Sequence, residues 1–190
     1  MNLLKQRILD DGQVIGNDIL KVDMFLNQQI DVDLLDHIGE EFYRLFGRED
    51  INKIITVEAS GIAIACAAAR YFKTPVVFAK KLQGRNSDED VYQSNVYSFT
   101  KEKEFNIRIS KKYLSARDKV LIVDDFLAEG RAASGLIDIA EQAGATICGV
   151  GIAIEKGYQG GRKLIEDKGI RVESLANIKS MSASSAIVFA

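Results

Sequence analysis

The sequence has little that would serve metal, redox or membrane chemistry. Its 190 residues include two cysteines and one histidine. Two thiols make no metal site, and Cys66 and Cys148, far apart in the chain and each in apolar surroundings, read as buried reduced thiols of a cytosolic protein rather than a disulfide. His37 lies between Asp36 and Ile38 on a helical stripe and reads as a partly exposed surface residue with no catalytic part. No uncharged run reaches the about 18 apolar residues of a membrane span. The opening MNLLKQRILDDG mixes short apolar pieces with charges, so neither a signal peptide nor an anchor is expected, and the chain reads as cytoplasmic. An excess of positive charge is missing too: the net charge is -2 and the pI about 5.6. That argues against nucleic acid or an anionic membrane as partner, so any phosphate group has to be held locally. Repeats and low-complexity segments are absent.

What is present is a chain 47% hydrophobic and 27% charged, long enough for one core, so residues 1–190 are read as a single domain. Leu3, Leu4, Ile8 and Leu9 fall on one helical face that ends at Gly12, read as a left-handed helix stop. A less regular segment follows. Asp31 then suits the N-cap of a helix with a stripe of Leu34, Leu35, Ile38, Phe42, Leu45 and Phe46, closed by Gly47. From residue 51 strands and helices alternate: INKIITVE, GIAIACAAARYF, TPVVFAKK, then a half-exposed hairpin of VYQSNVYSFT and EFNIRIS, then DKVLIVDD, ASGLIDIAEQAGA, TICGVGIAIE, YQGGRKLIEDKG and a last strand IRVESLANI. This order predicts an α/β fold with a doubly wound, mostly parallel sheet. The core sheet is placed at residues 51–178 and the N-terminal helices at about 1–47.

An open parallel sheet takes its ligand at the carboxyl ends of its strands. Three loops therefore matter: EASG, DDFLAEGRA and EKGYQG. If residues 128–132 lead into a helix, their free N–H groups and the positive end of the helix dipole form an anion pocket. Asp124 and Asp125 cannot bind that anion. Carboxylates accept hydrogen bonds from hydroxyls or hold a hard cation, so a ligand with a phosphate beside a diol, such as ribose 5-phosphate, fits both halves.

The stretch VLIVDDFLAEGRA resembles the phosphoribosyl pyrophosphate (PRPP) motif of type I phosphoribosyltransferases, and EASG resembles that family's pyrophosphate loop. The order of elements is similar through nearly the whole chain. LKVDMFLNQQID and GIAIEKGYQGGR resemble the xanthine-using bacterial members. The resemblance implies transfer of a 5-phosphoribosyl group from PRPP to xanthine, giving xanthosine 5'-monophosphate (XMP) and diphosphate in purine salvage. It also implies a homodimer and a substrate-borne Mg2+ with no direct protein ligand, reached at most through water by Asp124 or Asp125. Asp124 and Asp125 would hold the ribose hydroxyls, though Asp125 also suits a turn cap. Ala128, Glu129, Gly130, Arg131 and Ala132 would hold the 5-phosphate, and Ser60 and Gly61 the pyrophosphate.

The phosphate loop departs from many relatives in having no threonine, so backbone amides carry the phosphate nearly alone. Arg131 either assists them or lies in solvent, and Glu129, repelled by a dianion, is expected to point away. Of Lys80 and Lys81, the second is favoured for pyrophosphate. For the base, Lys156 stands where 6-oxopurine enzymes of the family place a lysine. The N-terminal segment would form a hood, with Leu20 an apolar wall and Asn27 an amide for the 2-oxo group, or a cap on local backbone. Tyr158 is a weaker stacking candidate. Residues 83–110 would form a flap over the reacting sugar, or plain surface. Glu58 has no role in this reading beyond shaping its turn. Two alternatives stay open: a PRPP-sensing regulator without catalysis, for which no DNA-binding module is visible, and a transferase for guanine or adenine.

Overall fold

The computed structural model describes residues 1–82, 90–98, 103–183 and 185–190. Part of the expected flap, residues 83–89 and 99–102, lies outside these.

The chain opens with helix α1 (Asn2–Asp11), hairpin strands β1 (Gln13–Ile15) and β2 (Ile19–Lys21), and a π-helical turn at Asp23–Asn27. Helix α2 (Val32–Phe46) starts as its sequence requires, with the Asp31 carboxylate accepting the Leu34 N–H at 3.0 Å. Strand β3 (Lys53–Val57), helix α3 (Ser60–Phe72) and strand β4 (Val76–Leu82) follow. Next come the antiparallel pair β5 (Val91–Ser98) and β6 (Lys103–Ser110), then β7 (Lys119–Leu127), α4 (Arg131–Gln142), β8 (Thr146–Lys156), α5 (Gly161–Glu166), β9 (Val172–Ser182) and β10 (Ser185–Phe189).

Eight strands form one sheet in the order β10-β9-β8-β7-β3-β4-β6-β5. The central five, from β9 to β4, run parallel, and the pairs at each edge are antiparallel. From β3 the chain winds to β4 on one side and later returns to β7 on the other, so the winding reverses between β3 and β7. Such a reversal opens a crevice at the carboxyl ends of the strands. The α/β expectation holds. Side chains of α2 and α3 join one core layer with Ile54, Leu121 and Val123, while α4 and α5 cover the other face through Leu136, Ile137 and Ile165. Burial on both faces explains why β7 and β8 read as continuous apolar runs instead of alternating ones.

Several local expectations are corrected. Gly12 is extended rather than left-handed, at φ -72 and ψ 139. Its glycine is needed for space, because a Cβ there would sit 2.3 Å from the Ile8 carbonyl oxygen. On α1 only Leu4 and Ile8 are buried, and Leu3 and Leu9 are exposed. Cys66 is exposed on α3 and Cys148 is half-buried; both are free thiols. The strand after residue 170 is not the last, since β10 adds an antiparallel edge. Among the described residues no helix is long and apolar enough to cross a membrane.

Candidate active site

The loops that follow β3, β7 and β8 leave the same edge of the sheet, because these strands are parallel neighbours. At the centre is the acid pair, and here the strand runs further than the sequence suggests. Strand β7 continues to Leu127, with Phe126 opposite Ile154 and Leu127 opposite Glu155. Leu121 and Val123 face the α2/α3 layer, and Val120 and Ile122 face the α4 layer. Strict alternation would put Phe126 with Ile122, but it packs with Leu121 and Val123, and Leu127 packs on the α4 side. The pleat therefore changes phase across Asp124 and Asp125. That change brings two consecutive carboxylates side by side, where a regular strand would send them to opposite faces.

Both acids are buried, and the Asp124 carboxylate accepts the Asp125 N–H at 3.1 Å. Burial drives the Asp124 pKa well above its ordinary value, and the neighbouring Asp125 adds to the rise. The ammonium of Lys81 pulls the other way. A buried carboxylate so placed calls for a hydroxyl donor or a cation.

Asp124 also meets the EASG loop. Gly61 lies in the first turn of α3, and a Cβ on it would stand 2.1 Å from Thr56 Oγ1 and 3.0 Å from Asp124 Oδ1. Glycine at 61 thus makes room for these two side chains. Thr56 Oγ1 is buried and without a hydrogen-bond partner among the described residues. It was missed in the sequence, although a hydroxyl in the otherwise aliphatic KIITV was a visible signal. The Glu58–Ala59 peptide is cis. Glu58 does more than shape its turn: its carboxylate accepts the Lys81 N–H at 2.6 Å while its own N–H donates to the Ala79 carbonyl at 3.1 Å. This ties the start of the EASG loop to the end of β4. Lys80 and Lys81 are both exposed, but alternation along β4 separates them, and it is Lys81 whose charge acts on Asp124. Its ammonium lies 5.2 Å from the centre of the Phe105 ring.

After β7, Ala128 and Glu129 lead to Gly130, whose φ of 75 is the left-handed region that glycine tolerates best. Helix α4 starts at Arg131, within the segment 128–132 expected to lead into it, and no side chain caps it. Its first-turn amides therefore point out of the helix beside the acid pair, as an anion pocket requires. Ala132 is half-buried, and Glu129 and Arg131 are exposed. Gly130 packs on the start of α5: the Gly161 N–H donates to the Ala128 carbonyl at 3.0 Å.

Lys156 ends β8 half-buried, and burial lowers its pKa from the ordinary lysine value. Its ammonium donates to the main-chain oxygen of Asp18 in the turn between β1 and β2. The hood thus reaches Lys156 through Asp18, not through Leu20. Leu20 is buried in the first core layer, opposite Val14 on β1. Asn27 is exposed at the end of the π-helical turn, and no hydrogen bond joins it to Lys156 among the described residues. Tyr158 is exposed. His37 is exposed on α2, 3.9 Å from Glu40. No cluster of three or more His, Cys, Asp or Glu side chains suited to a metal occurs among the described residues.

The chain is similar to known proteins over nearly its full length. A protein named xanthine phosphoribosyltransferase from Clostridium novyi is 63% identical over 181 residues, 95% of each chain. One of the same name from Lacticaseibacillus casei is 55% identical over 190 residues, covering 100% of this chain and 98% of that one. Among solved structures, adenine phosphoribosyltransferase from Rhodothermus marinus superposes with a TM-score of 0.75 at 20% identity, covering 93% of this chain and 97% of that one. That likeness speaks to the fold alone. The family model described as phosphoribosyl transferase domain matches residues 21–182, which take in the acid pair, the EASG loop and Lys156, and on that ground the chain belongs to the phosphoribosyltransferase family.

Proposed function

We propose that this chain transfers the 5-phosphoribosyl group of PRPP to a nitrogen of xanthine, releasing diphosphate and XMP, as a step of purine salvage. The observation that carries the reading is the side-by-side carboxylate pair next to an uncapped helix start on the edge of the sheet that also presents Lys156. Relatives named for xanthine, similar over nearly the whole chain, support that base in particular.

In this reading the Asp124 and Asp125 carboxylates accept hydrogen bonds from the two ribose hydroxyls. The diol supplies further donors beside the Asp125 N–H that Asp124 already accepts. The backbone from Ala128 to Ala132 takes the 5-phosphate on the amides that open α4, with Arg131 able to reach the same anion. The side chain of Glu129, a carboxylate, stays outside this contact. Ser60 and Gly61 at the start of α3 take the pyrophosphate, and Lys81, held in place by Glu58, neutralises part of its charge. Positive charge grows on the sugar as the leaving group departs, so fixed donors around the diphosphate and fixed carboxylates beneath the ring lower the barrier together.

Mg2+ fits the donor set as a substrate-borne ion. Asp124 and Asp125 are oxygen ligands suited to it, through water or the sugar hydroxyls. When bound, the ion neutralises charge on the departing diphosphate. Lys156 donates to the 6-oxo group of the purine. Asn27, whose amide faces solvent at the hood, serves the 2-oxo group, and Leu20 supports the hood from below. A homodimer in the cytoplasm follows from the family resemblance.

The test is incubation with PRPP, Mg2+ and, separately, xanthine, guanine, hypoxanthine, adenine and orotate. Xanthine is expected to be consumed with XMP and diphosphate formed in equal amounts. Consumption of adenine in preference to xanthine would overturn the base assignment, and PRPP binding without consumption of any base would establish the regulator reading instead.

A further inference from the structure

Behind the phosphate loop stands an ion pair between a buried carboxylate and a partly buried guanidinium that none of the roles above uses. Glu155, the residue before Lys156, is 2% exposed. Its two oxygens accept Arg162 Nε at 2.8 Å and Nη2 at 2.7 Å. The same guanidinium donates to Glu166 Oε1 at 2.9 Å, the Val172 carbonyl at 3.0 Å and Ser174 Oγ at 3.3 Å. One side chain thus clamps the end of β8, the short helix α5 and the start of β9. A fork with all three nitrogens engaged holds its own backbone firmly.

The residue before that clamp is Gly161, which touches the phosphate loop. Besides the hydrogen bond to the Ala128 carbonyl, there is no room between the two segments for a methyl group. A Cβ on Gly161 would lie 2.3 Å from the Ala128 oxygen and 2.7 Å from the Gly130 nitrogen, and a Cβ on Gly130 would lie 2.9 Å from the Gly161 Cα. The loop that opens α4 leans, glycine on glycine, against a segment whose next residue is locked to Glu155.

We propose that Glu155, Arg162 and Gly161 are positioning residues for the 5-phosphate of PRPP: the ion pair fixes the start of α5, and Gly161 fixes the carbonyl and amide directions of residues 128–130. This rests on the phosphoribosyl-transfer reading above. A loop that binds an anion with amides and no hydroxyl side chain has few ways to correct its aim, so an outside brace has a direct effect on affinity.

The test measures steady-state kinetics and calorimetric binding of ribose 5-phosphate for the unsubstituted protein, Gly161→Ala, Arg162→Met and Arg162→Lys. Gly161→Ala and Arg162→Met are each expected to raise the KM for PRPP and weaken ribose 5-phosphate about tenfold or more, the scale of a loop displaced by a fraction of an ångström. The KM for xanthine should stay within about twofold, which separates a lost phosphate contact from general damage. Arg162→Lys, which restores charge without the fork, should recover part of the loss. The proposal is overturned if both KM values rise together, or if the variants lose thermal stability while ribose 5-phosphate binds unchanged. Should Gly161→Ala fail to fold, the two Arg162 variants decide alone. Failure of the unsubstituted protein to bind ribose 5-phosphate would instead refute the functional reading.

Discussion

The decisive residues are two adjacent aspartates that a regular strand would separate. If they hold the ribose diol, Asp125→Asn should lower kcat by about a hundredfold, with an unchanged circular dichroism spectrum. Full activity in that variant would remove Asp125 from the site. Asp124 also sets a pH dependence. Its folded pKa is raised above its unfolded value by burial and by Asp125, so between the two values the native chain keeps a proton that the unfolded chain releases. Stability contributed at this position therefore declines as pH rises through that window. Urea midpoints measured from pH 4 to 8 should show the decline, and Asp124→Asn should flatten it. Substrate affinity runs oppositely, since only the ionised carboxylate accepts both hydroxyl protons, and PRPP binding should weaken as pH falls below the raised value. Lys156→Ala should raise the KM for xanthine and leave ribose 5-phosphate binding intact; unchanged purine kinetics would defeat the assignment.

At the scale of elements, the contact between α3 and the strands beneath it is closed to any side chain at position 61. Gly61→Ala would drive a methyl into Thr56 and Asp124, and it should cut activity more than it lowers the melting temperature. The opposite end of the sheet behaves differently. There the Asp118 carboxylate takes the Lys53 ammonium at 2.8 Å and the Ser115 N–H at 2.7 Å, linking the starts of β3 and β7. Burial pushes the Asp118 pKa up, but the Lys53 and Ser115 contacts outweigh it and leave the value lowered. Its contribution to stability is present above the unfolded value and is lost as pH falls through the lower folded one. Asp118→Asn should cost about 1–3 kcal/mol in chemical denaturation with kcat untouched. Periodicity alone was enough to foresee α2, its Asp31 cap and the five parallel strands, because two-sided burial and helical stripes leave strong patterns. It did not reveal the edge strand β10, the phase change at Asp124 or the glycine contact at Gly161. Those depend on what lies across a gap, and a single chain read in order carries no sign of that.

For the whole molecule, the sheet assembles the candidate site from loops nearly a hundred residues apart in sequence, from EASG near 58 to EKGYQG near 157. The proposed homodimer predicts sedimentation at twice the 21.0 kDa chain mass, and a single-chain mass would refute it. The hood belongs to the same core as the sheet: Leu20, Val22, Phe25 and Leu26 pack in one layer with α2 and α3. One consequence lies in the bond between Lys156 and the Asp18 oxygen. If the purine brings its 6-oxo group to Lys156 as proposed, it does not fill a waiting vacancy but displaces the Asp18 oxygen as acceptor. In that reading, recognition of the base is an exchange of one oxygen acceptor for another. Selectivity then falls to whichever groups hold the rest of the ring.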